Sequence, residues 1–543
     1  MPGTLTSASL PNTLAALLEP SAYPHPVAGV ELVTTHISWV LLAGEYAYKI
    51  KRPVRYPFID LTSLERRRFL CQEEVRLNRR FAPELYLGVC RVVRTEGAAR
   101  MEAPDSASAP ASGFNEAILD HAVGMRRFSR AEELDRLLDD HRIAPHELET
   151  FGHELARIHA SFPAASVCSS WGRPEDIEAQ LLRNLLECAD AAAVFDSSEQ
   201  ILALRDRMQT KLAASTAWMA ARRSSGRIRE CHGDLHSRNI VRVRGRLLAF
   251  DCLEYEPAWR WIDTADEMAF LTSDLQARGR PLHAHAFRGG YLAESGDYHG
   301  CRLLGLYEAH RALVRAKVAA LAAQAGQPDA AGALRGEHLR LVTFAAGALE
   351  PKMPRLLLMS GLSGSGKTWL ARQLAERLSA VHVRSDVERK RHAGLRELAV
   401  SHSRPGEDLY SEEVTATVYA DLAQAAENVL GGGIATIVDA TFLKRAWRAR
   451  FAELAARCGA ALHLIVCEAS EPVLRARIEA RGRAGRDASE ADLGVLTWQL
   501  AHAEAPTADE GIDAIRVNTA RADALDLTMR SIGAVPADVS HQA

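Results

Sequence analysis

Residues 361–368 read Gly361-Leu362-Ser363-Gly364-Ser365-Gly366-Lys367-Thr368 and fit GxxxxGK[ST]. Glycines at this spacing let the backbone fold its N–H groups around phosphate oxygens, and a helix beginning at the lysine adds its positive dipole end. Lys367 then reaches the terminal phosphates, and the Thr368 hydroxyl suits Mg²⁺. A second constellation lies upstream. Cys231-His232-Gly233-Asp234-Leu235-His236-Ser237-Arg238-Asn239 contains HGDxxxxN, and Asp251 follows twelve residues after the asparagine. There Asp234 can orient and deprotonate an acceptor hydroxyl, while Asn239 and Asp251 converge on Mg²⁺ from either side of a tight loop.

Further candidates gather around each motif. Only eight of the 66 basic residues are lysine, at 49, 51, 211, 317, 352, 367, 390 and 444. Where arginine is the default, a lysine marks a place that needs a slim point charge. Lys49 and Lys51 fall in YAYKIK, on one face of a strand. Glu73, in the helix that follows, is placed to pair with Lys49 and hold it on nucleotide phosphates. Glu74 is a near-equal rival; Glu73 is preferred because Leu77 follows at helical spacing. His232 and His236 read as braces of their loop rather than metal ligands. Beyond the glycine-rich loop, Asp386 in RSDVERK ends a strand beside the phosphates, where it can take a proton from a hydroxyl; it also reads as a helix N-cap. Asp439 ends GGGIATIVD and suits a place beside Mg²⁺, or a plain strand end. Arg475, Arg477, Arg481, Arg483 and Arg486 form either a lid that closes over a transferring phosphoryl group or a solvated helix face.

These residues need elements to hold them. HISWVLLAG and EYAYKIKRP read as two strands around a Gly44-Glu45 turn. A helix is expected over 62–81, with a Thr62/Glu65 capping box and Pro83 as its stop. CRVVR and EAILDHAVGMRRF read as strands, and the Ala/Ser/Pro-rich TEGAARMEAPDSASAPASGFN between them as a loop. FGHELARIHA, IEAQLLRNLLECADAA and ILALRDRMQTKLAASTAWMAARR have helical spacing. The strand–loop–strand segment from Ile228 to Tyr255 interrupts the helices, which resume to about Leu349. After the proline-bearing break EPKMP, the runs RLLLMS, VHVRSD, IATIVDAT, LHLIVCEA and DAIRVNT alternate with helical stretches. That pattern predicts a parallel sheet with helices on both faces. The expected domains are 1–350 and 351–543.

Composition narrows the function classes. The chain has 543 residues, 47% hydrophobic and 25% charged, with a net charge of −3. A disordered or fibrous chain is excluded, and bulk coating of nucleic acid is not expected of so balanced a charge. No apolar run approaches the ~20 residues needed to span a bilayer. The first residues lack the basic stretch of a secretory signal. Nine scattered cysteines without a CxxC pair give neither a disulfide framework nor a zinc site. A cytoplasmic protein without membrane association is expected.

On HGDLHSRN, AFDCLEYEP and EYAYKIK, residues of about 25–345 resemble the aminoglycoside phosphotransferase and choline kinase branch of the protein-kinase-like fold. On GLSGSGKT, RSDVERK, IVDATF and the arginine-rich segment, residues of about 352–540 resemble small P-loop kinases of the polynucleotide-kinase, zeta-toxin and gluconate-kinase type. Such domains are also called AAA family ATPases, but the chain lacks a convincing ring-ATPase arginine finger or sensor pattern. In this order the two resemble the bacterial bifunctional aminoglycoside phosphotransferase/ATP-binding family almost end to end. The resemblance implies an α/β multidomain protein, a protein-kinase-like α+β domain followed by a P-loop parallel-sheet domain, each binding ATP and Mg²⁺. It implies Asp234 as catalytic base, Asn239 and Asp251 as Mg²⁺ ligands, Lys49 with Glu73 as the phosphate-binding ion pair, Asp386 as activator of an acceptor hydroxyl, and Arg477 and Arg481 as lid arginines. The chain departs from protein kinases in having no GxGxxG before His36, and in Cys252 and Leu253 where they have Phe and Gly. The expected reaction is phosphoryl transfer to a hydroxyl of a small metabolite, a sugar or a nucleic-acid end. The alternatives are a nucleotide-sensing domain that gates the other, or an ATPase or binding module without an acceptor. The sequence leaves the oligomeric state open.

Overall fold

A computed structural model of the chain describes residues 12–533, apart from 57–58, 96–97, 106–116, 167, 327–330, 398, 400–410, 485–488 and 490. Two compact units emerge. One comprises Met1–Glu147, Ser161–Trp171 and Gly226–Glu267; the other comprises Leu148–Ala160, Gly172–Ser225 and Met268–Ala543.

The first unit opens with α1 (Asn12–Ala16) and an antiparallel run of β1 (Val30–Thr34), β2 (Ser38–Ala43) and β3 (Tyr46–Lys51). Gly44, at φ +60°, makes the turn between β2 and β3, where a left-handed residue is needed. The two-residue strands β4 (Arg55–Tyr56) and β5 (Ile59–Asp60) lead into α2 (Leu64–Asn78). The N-cap of α2 is Ser63, whose hydroxyl accepts from Arg66 N–H at 3.1 Å, whereas the Thr62 hydroxyl donates to Asp60. The expected Thr62 cap is thereby shifted by one residue. Strands β6 (Tyr86–Thr95), β7 (Ala98–Met101) and β8 (Ala117–Arg126) complete a six-stranded sheet in the order β1-β2-β3-β8-β6-β7. Part of the expected loop before β8 is thus strand, and its residues 96–97 and 106–115 lie outside the described residues. One face of the sheet buries Leu41, Tyr48, Ile50, Val92 and Ala122. The other packs Ala47, Val89 and Val123 against Cys71 and Val75 of α2. Alternation along β3 therefore turns Lys49 and Lys51, with Ala47, toward α2. Helix α3 (Leu134–Asp139) and strands β9 (Ile228–Glu230), β10 (Ile240–Val243), β11 (Arg246–Ala249) and β12 (Trp261–Asp263) finish the unit, with the HGD loop between β9 and β10.

The second unit holds most of α4 (Pro145–Ser161), then α5 (Pro174–Ala191), α6 (Ser198–Leu202), α7 (Arg205–Ser224), most of α8 (Thr264–Ala277), α9 (Pro281–Ser295), α10 (Cys301–Gln324) and α11 (Ala331–Leu349). An alternating segment follows: β13 (Arg355–Ser360), α12 (Lys367–Leu378), β14 (Val381–Arg384), α13 (Ser385–His392), α14 (Glu412–Gly431), β15 (Thr436–Asp439), α15 (Arg445–Arg457), β16 (Ala461–Glu468), α16 (Glu471–Ala484), α17 (Leu493–His502), β17 (Ala514–Asn518) and α18 (Ala524–Ser531). Its five strands are all parallel, in the order β14-β15-β13-β16-β17. The chain moves from β13 outward to β14 on one side and later to β16 on the other, so the 361–368 loop leaves the central strand at the point where the winding reverses. Among the described residues, no helix is long and apolar enough to cross a membrane.

Within this unit the alternating segment is seated on α9 and α10. Tyr298 donates its hydroxyl to Glu388 Oε1 at 2.8 Å, and Arg391 bonds both Glu388 and the Ala293 carbonyl. Arg302 Nε donates to Asn428 Oδ1 at 2.8 Å. Just after α14, a Cβ on Gly432 would lie 2.1 Å from the Cys301 carbonyl oxygen. Its φ of −83° suits any residue, so only space requires glycine there. Gly432→Ala is accordingly expected to lower unfolding stability by about 1–3 kcal/mol, measured by urea denaturation of the full chain.

Candidate functional site

In the first unit the site begins with a buried charge cluster. Lys49 Nζ lies 2.9 Å from Glu74 Oε1 and 2.5 Å from Asp251 Oδ1. Lys51 Nζ lies 2.6 Å from Glu74 Oε2 and also pairs with Glu254. One carboxylate thus serves two ammonium groups, one oxygen each. Burial alone would push Glu74 up, but Lys49 and Lys51 hold it well below the usual carboxylate range. Burial would lower Lys49, but Asp251 and Glu74 raise it well above the ordinary lysine value. The pairing expected of Glu73 is corrected to Glu74. Glu73 sits one residue around the helix, where it accepts from Arg76 at 2.9 and 2.8 Å and lies 3.4 Å from Arg260. Both glutamates are one turn from Leu77; only the phase of α2 against β3 separates them.

The HGD loop is held from behind. Glu267 accepts the backbone N–H groups of His232 at 2.5 Å and Gly233 at 3.1 Å. Gly233 has φ +85°, and a Cβ there would lie 2.8 Å from the Trp259 carbonyl oxygen. His232 Nε2 donates to the Phe250 carbonyl at 2.8 Å, leaving Nδ1 to accept from Asp234 N–H at 3.3 Å. That neutral tautomer is favoured by burial, which lowers the His232 pKa to about 4. Asn239 Nδ2 donates to both the carbonyl and Oδ2 of Asp234, each at 2.9 Å. Since both partners are acceptors, the Asn239 amide oxygen must face away from them. Asp251 has φ +62°, a strained conformation for a non-glycine residue. Its N–H donates to the Tyr86 hydroxyl at 3.0 Å, and the next N–H, of Cys252, to Asn78 Oδ1 at 2.9 Å. Asp234 and Asp251 remain 38% and 45% exposed at the side chain, open to a ligand, whereas Glu74 is fully buried.

The second unit presents a loop of backbone amides. Gly361 N–H is bound by the Thr441 carbonyl, Ser363 N–H by Gln499 Oε1 and Ser365 N–H by the Leu362 carbonyl. Gly364, Gly366, Lys367 and Thr368 N–H have no acceptor among the described residues. Gly364 and Gly366, at φ +79° and +84°, leave room for Leu474 O and Thr519 Oγ1, each within 2.8 Å of where a Cβ would be. Lys367 Nζ donates to the Leu362 carbonyl at 2.9 Å. Burial lowers the Lys367 pKa, opposed by the charges of Asp439 and Asp386. Asp439 is buried, yet a hydrogen bond from His382 Nε2 at 3.2 Å and the charge of Lys367 bring it down to about 2. Asp386 is half-buried in the first turn of α13, whose N-cap is Arg384, and it accepts no hydrogen bond among the described residues. Arg477 reaches Gly364 O at 3.3 Å and Thr519 Oγ1 at 2.9 Å, while Arg481 donates to Ala491 O at 2.6 Å. Arg475 pairs with Glu471 on the exposed side of α16, Arg483 donates to Glu479 O within that helix, and Arg486 lies outside the described residues.

The first unit therefore gathers Lys49, Asp234, Asn239 and Asp251, and the second gathers the 361–368 loop with Asp386, Asp439 and Arg477. Lys51, Glu74, Glu254, Glu267, His382 and Gln499 join them. Of these, Lys51 carried the signal of scarce lysine and Glu74 that of its place in the helix; the other four carried none beyond their type.

A model of the phosphotransferase enzyme family matches residues 70–304, and one of the AAA domain matches 356–506. Uncharacterised proteins of Mycobacterium tuberculosis and Mycobacterium bovis are 31% identical over 489 residues, spanning 88% of this chain and 93% of theirs. The chain belongs to the two-domain aminoglycoside phosphotransferase-like/P-loop family. Among solved structures, a choline/ethanolamine kinase family protein from Mesorhizobium loti is similar over 63% of this chain and 96% of its own, at 13% identity and TM-score 0.33. A sugar kinase from Janibacter sp. HTCC2649 is similar over 35% and 99%, at 19% and 0.26.

Two outcomes test the phosphotransferase-like site as built. Glu74→Gln, which strips a buried carboxylate from two lysines, is expected to destabilise the full chain by about 3–5 kcal/mol. Glu73→Gln, on the more open side of α2, should cost less than about 1 kcal/mol; the two are compared by chemical denaturation. The second test concerns pH. His232 binds its proton less readily folded than unfolded, so its contribution is complete above pH 6.5 and declines as pH falls toward 4. The loss reaches roughly 3 kcal/mol at pH 4. His232→Gln should flatten the dependence of unfolding free energy on pH across that window.

Proposed function

We propose that each unit carries one site that transfers the γ-phosphoryl group of Mg-ATP to a hydroxyl acceptor. By chain texture the functional domains are 1–350 and 351–543, although residues 148–160, 172–225 and 268–350 pack with the second unit. The observation that carries this reading is Lys49 held between Glu74 and Asp251, with Asp251 and the Asn239-bonded Asp234 both acting on the same His232 and Tyr255.

In the phosphotransferase-like site Lys49 binds the nucleotide phosphates and Glu74 keeps it extended. Asp234 accepts the acceptor's proton as the hydroxyl oxygen bonds to the γ-phosphorus, the bond to the β,γ-bridging oxygen breaks, and ADP leaves. Asn239, through its outward-facing amide oxygen, and Asp251, through its exposed carboxylate, offer hard oxygen donors that suit Mg²⁺. In the P-loop site the amides of Gly364, Gly366, Lys367 and Thr368 bind phosphate oxygens, and Leu362, Ser363 and Ser365 shape the turn that frees them. Asp386 takes the proton, Arg477 and Arg481 close as a lid, and Thr368 and the ionised Asp439 suit Mg²⁺. Bound Mg²⁺ supplies positive charge to the β- and γ-phosphate oxygens. The acceptors are a small metabolite, a sugar or a nucleic-acid end. A cytoplasmic setting accords with ATP as donor and with nine free thiols, seven of them buried.

One observation favours a second reading. The turn between β1 and β2 is Thr35-His36-Ile37, so no glycine loop covers the phosphates there, as would suit a nucleotide sensor that gates the P-loop site. The experiment that separates the readings uses the full chain carrying Lys367→Ala, labelled ATP and a cell extract. Adding Asp234→Ala should leave ATP bound and cut labelled product by ~10²-fold or more. Undiminished product would reject Asp234 as the base and leave the sensor reading standing. In the reciprocal chain, with Asp234→Ala fixed, Asp386→Asn should retain ATP and lose transfer. Hydrolysis at the parental rate, with no acceptor labelled, would make that site an ATPase.

A further inference from the structure

The P-loop site contains a side chain that neither motif includes. Gln499, on α17, is only 6% exposed, and its Oε1 accepts the backbone N–H of Ser363 at 2.7 Å. Only the oxygen of an amide can accept, so this bond fixes which way the group is turned. The Nε2 end, one amide width away, has no acceptor among the described residues.

Three of the loop carbonyls are already engaged. Leu362 O receives Lys367 Nζ and Ser365 N–H, Gly364 O receives Arg477, and Ser365 O receives Thr519 Oγ1 at 2.6 Å. The helix itself is fixed on the loop, because Leu496 of α17 packs with Leu474 and Ile478 of α16 and with Leu362. A rigid, neutral amide therefore presents two N–H donors beside the unbound amides of Gly364, Gly366, Lys367 and Thr368. The acceptor such a set lacks is an anion.

We propose that Gln499 reads the terminal phosphate: Oε1 sets the loop through Ser363 while Nε2 donates to the γ-phosphoryl oxygens, so the site tells ATP from ADP. This rests on the P-loop reading above. It also gives α17 a contact with the loop distinct from that of the α16 arginine, since Gln499 meets Ser363 N–H whereas Arg477 meets Gly364 O.

The test is calorimetry on the full chain with ADP and with the β,γ-imido analogue of ATP. Binding at this site is the portion that Lys367→Ala removes. Gln499→Glu keeps an oxygen for Ser363 N–H but replaces the donor with a carboxylate. ADP affinity should stay within about threefold while affinity for the analogue falls at least about tenfold. Gln499→Met, uncharged and similar in length, must also weaken the analogue more than ADP, and thermal melts check that both variants fold. Equal effects on the two nucleotides, or none, would overturn the proposal and leave Gln499 a brace. If Lys367→Ala removes no binding at all, the P-loop reading falls and this proposal with it.

Discussion

A lysine removed from water must meet a carboxylate, and a carboxylate removed from water must meet a cation. The first unit is organised around that requirement. Glu74 has no contact with solvent, and its two oxygens fix the ends of Lys49 and Lys51. Those lysines leave the same face of β3, while their other partners, Asp251 and Glu254, lie in the segment just after β11. Sheet, helix and acidic segment are thus registered by one buried anion. Shift α2 by a single residue and Glu73 or Val75, not Glu74, stands between the two lysines.

The second unit meets a similar demand with backbone rather than side chains. Its loop has amides at Gly361, Ser363 and Ser365 tied to protein acceptors, which holds the intervening amides and the first turn of α12 free of partners. Charges there are paired: Lys367 is half-buried and Asp439 buried, and each moderates the other. A clamped ammonium and a row of unbound N–H dipoles thus occupy one polypeptide.

Much of this was readable from the sequence, because phosphate loops and HGD loops are contiguous and their geometry is local. The alternation in YAYKIK placed both lysines on the right face, and the five apolar runs after 350 gave the parallel sheet. What escaped was set by tertiary phase or by distance along the chain. Glu73 and Glu74 satisfy the same helical spacing, and only the rotation of α2 against β3 chooses between them. The N-cap moved from Thr62 to Ser63 because Asp60 claimed the threonine hydroxyl. Gln499 reaches Ser363 across 136 residues, His382 reaches Asp439 across 57 and Glu267 reaches His232 across 35, and no short pattern announces any of them. Chain texture breaks at EPKMP, whereas spatial packing groups α9 and α10 with the sheet that follows. Texture records what a segment is made of; packing records what it needs beside it.

The clamp on α13 has an evolutionary consequence. That helix begins at Ser385-Asp386, and two residues later Glu388 depends on the Tyr298 hydroxyl, as Arg391 depends on the Ala293 carbonyl. A gene fragment encoding only the residues after 350 would produce a helix whose inner carboxylate and guanidinium had lost those partners. The segments on either side of the break are therefore coupled through these contacts. Recombination that exchanged one of them for a distant homologue would succeed only where the incoming segment brought its own tyrosine, or relieved the glutamate of needing one.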